Sequence, residues 1–114
     1  MSFPLRGEIF WVNLDPTVGS EIAKTRPAVI ISNDVGNQYA DRVIVAPITS
    51  ANVAKLYPFE VNVEAGEAGV AKPGKILLDQ IRTVDKRRLG AKLGMLSRAR
   101  IEEVNRAIRL SLAV

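Results

Sequence analysis

Short β-branched runs separated by Gly, Pro and Asn fill the first two thirds of the chain, the pattern of a small antiparallel barrel or sandwich. Arg6 to Leu14 is the first expected strand. Pro27 to Ser32, reading PAVIIS, is a continuous apolar run and is expected to be a strand buried on both faces. Arg42 to Thr49, reading RVIVAPIT, is the third, and Pro47 within it points to an edge or a bulge. Phe59 to Val63 alternates Phe59, Val61 and Val63 with Glu60, Asn62 and Glu64, as a half-exposed strand does. Lys75 to Thr83 is the fifth. Between these lie a long loop from Asp15 to Arg26, a turn-rich break from Asn33 to Asp41 and a Gly-rich loop from Glu64 to Gly74. Asp85 to Arg88 reads as one helical turn, followed by a short strand from Leu89 to Leu96.

Ser97 is the expected N-cap of the single strong helix signal, which runs to Ala113. Ile101, Val104, Ile108 and Leu112 fall at i, i+3, i+7 and i+11, one apolar stripe. Ala107, Leu110 and Val114 lie off that stripe, so the helix needs a second contact, either a loop or another subunit. Phe10 and Trp11 stand on opposite faces of the first strand, one for the core and one exposed.

Composition narrows the chemistry. The chain has 114 residues, 47% hydrophobic and 25% charged, enough for one globular domain with its own core. It contains no Cys and no His. That removes zinc fingers, thiol nucleophiles, Ser–His triads and His-paired ribonuclease chemistry, leaving carboxylates, Arg, Lys and hydroxyls. The net charge is +4, carried unevenly: Arg82 to Arg109 holds nine basic residues against three acids. Such a basic end suits a polyanion, although a solvated charged face has the same composition. No apolar run is long enough for a signal segment or a membrane span, and a cytoplasmic location is expected.

Four segments in order, GEIFWVNLDPTVGSE (Gly7 to Glu21), TRPAVIISND (Thr25 to Asp34), VAPITS (Val45 to Ser50) and ILLDQIRTVDKRRL (Ile76 to Leu89), resemble the successive motifs of the MazF/PemK-type toxins. The resemblance implies a mainly β fold, a small SH3-like antiparallel barrel with a long C-terminal helix, acting as a homodimer. It implies an endoribonuclease that cleaves single-stranded RNA without a metal or other cofactor and is neutralised by an antitoxin protein. Arg26 falls at the family's Arg-Pro position, where a catalytic arginine is implied; a guanidinium fork suits the charge that develops on phosphate during 2′-hydroxyl attack. Thr49, at a strand end, matches the catalytic threonine.

Glu21 and Asp79 are the carboxylates that the resemblance offers as base or acid. Some relatives pair that aspartate with an Arg two residues earlier, where this chain has Leu77. Asp79 is therefore equally a structural carboxylate for Arg26 or Arg82. Ser20, Asn33, Gln80 and Arg82 are candidate RNA contacts, since amides such as Gln80 and Asn33 can pair with exposed base edges. For Asn33, ordinary turn chemistry is a strong competing explanation. Two other functions suit a similar scaffold: a CcdB-like gyrase inhibitor and a non-catalytic RNA-binding barrel.

Overall fold

The computed structural model describes residues 3–114; Met1 and Ser2 of the N-terminal segment lie outside it. Seven strands and two α-helices follow in the order β1 (Glu8–Asn13), β2 (Thr25–Ile30), α1 (Asp34–Tyr39), β3 (Arg42–Thr49), β4 (Glu60–Val63), β5 (Gly74–Leu77), β6 (Arg82–Asp85), β7 (Leu89–Met95) and α2 (Arg98–Leu112). All the pairings are antiparallel. The hydrogen-bonded order is β4-β5-β3-β2-β1-β7, and β6 joins the free side of β3. The expected antiparallel sheet with one long C-terminal helix is present, but the sheet does not close into a hydrogen-bonded barrel: the ladder ends at β4 and β7.

β3 is central rather than an edge, against the expectation from Pro47. Its first half, Arg42 to Val45, pairs with β6, and Ile48 and Thr49 pair with β5. Pro47, which has no N–H to donate, stands in the gap between the two partners. The single strand expected from Lys75 to Thr83 is likewise two, β5 and β6, parted by a turn at Leu78 and Asp79. No Gly or Pro marks that break. Each half pairs with a different part of β3, so the chain must turn between them.

Alternation along β1, β2 and β3 feeds two buried clusters. Ile9, Val29, Ala46 and Ile48 join Val61, Val63, Ile76, Leu78 and Leu96 in one. Val12, Ala28, Ile30, Val43 and Val45 join Leu14 and Val84 in the other. The apolar run at Ala28, Val29 and Ile30 is thus buried on both faces, as its composition requires.

Ser97 caps α2, its side chain accepting from the Arg100 N–H. Val104 and Ala107 are buried against the first cluster, with Ile101 and Ile108 packed beside them. Leu112, expected on the buried stripe, is half exposed, whereas Ala107, expected off it, belongs to the core. The break at Asn33 to Asp41 contains α1, which its Gly and Asn residues do not favour. Tertiary anchoring overrides propensity: Asn33 Oδ1 accepts from the Gly36 N–H at 2.7 Å, and Asn37 is fully buried, its amide donating to the Ser32 carbonyl.

Candidate active site

Two candidate residues meet by register. Ala28 pairs with Pro47 at the end of the β2–β3 ladder, and continuing it two residues places Arg26 opposite Thr49. Both line one cleft of about 310 Å³, with Trp11, Pro27, Ile48, Lys72 and Leu93 among its walls. Arg26 Nε donates to the Ala23 carbonyl at 2.8 Å. Among the described residues no protein acceptor takes either Nη group, and no carboxylate lies in salt-bridge range of Arg26. A guanidinium held at one nitrogen and open at two is prepared for an anionic ligand. Thr49 is buried, and its Oγ1 accepts from the Ala51 N–H at 3.1 Å, which leaves the hydroxyl hydrogen free to be donated.

One wall of the cleft depends on two glycines. A side chain at Gly69 would strike the Leu93 carbonyl oxygen at 2.0 Å, and one at Gly94 would strike the Ala68 carbonyl oxygen at 2.3 Å. Only glycine allows the 64–73 loop to lie this close to β7. Arg100 fastens the same loop, its Nε donating to Glu67 Oε2 at 2.9 Å, while also pairing with Glu103. That guanidinium holds the Glu67 carboxyl below its ordinary range, against a smaller opposing effect of burial.

The remaining candidates do not join this cleft. Glu21, Asp79, Gln80 and Arg82 line a second one together with Ile22 and Ile81. There the polar side chains hold the 15–24 loop. Gln80 Oε1 accepts from the Ile22 N–H at 2.7 Å, Arg82 donates to the Leu14 carbonyl at 2.8 Å, and Glu21 accepts from the Val18 N–H at 2.6 Å. Asp79 is exposed and fixes neither Arg26 nor Arg82, whose donors go to main-chain carbonyls instead. Ser20 is exposed in the loop, and Asn33 is engaged as the cap of α1. Lys72 belongs to the Gly-rich loop, where no local signal marks it; its place in the cleft comes from the fold of residues 64–73.

The basic third of the sequence is partly neutralised in space by acids from elsewhere. Arg100 pairs with Glu67 and Lys92 with Glu8 at 2.9 Å. Arg98, Arg106 and Arg109 of α2 are exposed.

The chain that carries this mainly antiparallel sheet and C-terminal helix is, by its family match, a toxin of the type II toxin–antitoxin class. The family described as "PemK-like, MazF-like toxin of type II toxin-antitoxin system" matches residues 5–112, and the chain belongs to it. It is 47% identical over 110 residues to the "Endoribonuclease MazF" of Staphylococcus saprophyticus, covering 96% of this chain and 91% of that protein. To the protein of the same name from Staphylococcus epidermidis it is 46% identical over the same shares. Among solved structures it is similar to MazF (Form-I) from Deinococcus radiodurans, with a TM-score of 0.85 and 30% identity over the whole of both chains. It is also similar to a MazE-MazF structure (Form-II) from the same organism, with a TM-score of 0.76, 28% identity and coverage of 100% of this chain and 99% of that one. Among the described residues no helix is long and apolar enough to cross a membrane.

Proposed function

We propose that this chain is a sequence-specific endoribonuclease toxin that cuts single-stranded RNA in the cytoplasm, needs no metal, and is neutralised by a cognate antitoxin protein. The observation that carries the reading is the convergence of an unpaired Arg26 and a donor-ready Thr49 in one cleft, in a chain nearly half identical to proteins named as endoribonucleases.

The chemistry needs one proton removed from a ribose 2′-hydroxyl and one delivered to the leaving 5′-oxygen, while the P–O5′ bond breaks and a 2′-oxygen–phosphorus bond forms. Charge accumulates on the non-bridging phosphate oxygens. The open Nη groups of Arg26 and the Thr49 hydroxyl are the donors suited to that charge. Arginine stays protonated, so Arg26 acts as an electrostatic clamp and not as the proton acceptor. Glu21 and Asp79, lining the other cleft, are less well placed for the base than the resemblance suggests. Trp11, 40% exposed and lining the same cleft as Arg26, offers a face on which a base adjoining the scissile phosphate can stack.

The Arg–Thr cleft separates this reading from a gyrase inhibitor or a non-catalytic RNA-binding barrel, neither of which requires such a pair. Incubating a long RNA with the protein in EDTA tests it. Discrete fragments are the expected result. Intact RNA with EDTA but fragments with added magnesium would overturn the metal-free mechanism, and intact RNA in both would overturn the nuclease.

A further inference from the structure

Glu60 and Lys75 form a buried ion pair whose hydrogen bonds reach the loop that follows Thr49. Alternation marks Glu60 as an outward-facing residue of a half-exposed strand, and Lys75 opens the next expected strand, yet their side chains are only 7% and 6% exposed. Lys75 Nζ lies 2.9 Å from Glu60 Oε1. The same ammonium donates to the Lys55 carbonyl at 2.9 Å, and the same carboxylate oxygen accepts from the Tyr57 N–H at 2.9 Å. Lys55 and Lys75 both place Nζ near the Tyr57 ring, at 5.1 and 5.8 Å from its centroid, and Tyr57 stacks on Phe59 at 5.5 Å. The loop therefore has its far end clamped from both sides of one ion pair.

The near end of that loop is the site itself. Lys75 is the cross-strand partner of Thr49, and Ser50 lines the Arg26–Thr49 cleft. Between them the loop has few other ties: the Lys55 N–H to the Asn52 carbonyl and the Ala51 N–H to Thr49 Oγ1. A buried ion pair is a poor source of net stability, because desolvation offsets most of its attraction and apolar residues of similar volume do as well. What it supplies here is geometry, since each charged group is satisfied only when the Lys55 carbonyl and the Tyr57 N–H are in place.

We infer that Glu60 and Lys75 are positioning residues that hold the 50–58 loop against the cleft and thereby set how RNA is seated and selected there. The inference rests on the proposed RNA cleavage, and the test separates the two. Removing one partner alone would leave a buried charge uncompensated and destabilise the fold, so the informative variant is Glu60→Leu with Lys75→Met. Glu60→Gln with Lys75→Gln serves if the apolar pair does not fold. Limited trypsin digestion at the Lys55–Leu56 bond reads the loop directly, without reference to activity. With thermal midpoint and circular dichroism close to wild type, about 10-fold faster cutting there is expected, because the bond opens by local rather than global unfolding. On a defined single-stranded oligonucleotide KM should rise about 5-fold or more with kcat nearly unchanged, and cutting of a mixed-sequence RNA should spread to additional sites. Wild-type trypsin resistance in the folded variant overturns the clamp. Faster trypsin cutting with unchanged KM and unchanged cut sites overturns the link to RNA selection. A wild-type protein that cuts no RNA overturns the proposed function instead, while the trypsin comparison still decides whether the pair holds the loop.

Discussion

Arg26 and Thr49 stand in the same row of neighbouring strands: the β2–β3 register that pairs Ala28 with Pro47 brings them opposite each other at the strand ends, where both line one cleft. Strand ends restrain a side chain more tightly than loop tips do, so the two donors keep their spacing as phosphate charge develops. Arg26→Ala and Thr49→Ala should each lower cleavage on the order of 100- to 1000-fold, the loss that follows removal of one oxyanion donor. Thr49→Ser keeps the hydroxyl and should recover most of the rate. Single-turnover cleavage with circular dichroism as the folding control checks this, and near-normal cleavage by either alanine variant would show that the pair is not catalytic.

Gln80 reaches Ile22 across the space between the β5–β6 turn and the 15–24 loop. Gln80→Ala should speed amide exchange at Ile22 by roughly 5-fold, by removing the acceptor of a single hydrogen bond worth about 1 kcal/mol. Gln80→Glu offers the same acceptor and should keep the protection. If the Glu variant binds RNA as wild type does, the amide donors of Gln80 make no base contact and its role is to hold the loop.

The Ser97 cap is legible because local pattern and tertiary role agree there, a cap before an apolar stripe, whereas Arg26 and Thr49 are marked in the sequence only by the motif resemblance, local pattern giving them no more than a strand end beside a loop. Residues 42–49 read as one strand and are one. The failures share a cause. At Leu78 and Asp79 the single strand expected from Lys75 to Thr83 breaks because its halves pair with different parts of β3, and no Gly or Pro encodes the change of partner. Asp34–Tyr39 forms a helix because Asn37 within it is buried and Asn33 caps it, a tertiary effect that outweighs poor propensity. Glu60 looked like the solvent side of an alternating strand, and only the fold shows Lys75 beside it. Lys72 reaches the cleft through the close approach of Gly69 to Leu93, which depends on chain segments far apart in sequence.

Exposed arginines on α2 and the open guanidinium of Arg26 predict that RNA binding weakens with salt. Each phosphate neutralised on a single strand contributes about −0.7 to the slope of log affinity against log salt. A titration of an uncleavable single-stranded oligonucleotide from low to moderate salt should give a slope of about −2 or steeper, corresponding to three or more phosphates. Arg26→Ala should make it shallower by roughly one contact. A slope near zero would show that the basic surface faces a different partner.

The Glu67–Arg100 pair makes stability depend on pH in a defined direction. Arg100 lowers the folded-state carboxyl below its unfolded value, so the contribution is present above the ordinary carboxylate range and is lost as pH falls through the folded-state value. Glu67→Gln should therefore cost up to about 1 kcal/mol near neutrality, the scale of a partly exposed ion pair. As pH falls through the lowered folded-state value and wild-type Glu67 itself becomes protonated, the two melting curves should converge. A gap of constant size from neutral to acid pH would mean that Glu67 acts through its shape and not its charge.

The helix α2 ends in apolar side chains that its own subunit leaves uncovered. Leu110 is 57% exposed, Leu112 50% and Val114 82%, and Leu110 shares a groove with the exposed Leu56 and Tyr57. Ala107, which the sequence pattern grouped with them, is buried in the first core cluster and drops out of the reckoning, as does Phe10, which packs against the second. An apolar patch on a small chain is commonly covered by a second copy, through a two-fold, self-complementary contact. A homodimer of this kind would set two Arg26–Thr49 clefts in one particle and give an RNA strand or an antitoxin segment a continuous surface to cross. Light scattering at micromolar concentration should return twice the mass of one chain. Leu110→Asp with Val114→Asp should shift that mass toward one chain, because each added carboxylate would have to be desolvated without a partner. Leu112→Ala should do less, since it removes contact area without adding a charge. A wild-type mass of one chain that retains cleavage would rule out the dimer as a requirement, and a dimer unmoved by the double substitution would place its interface away from the end of α2.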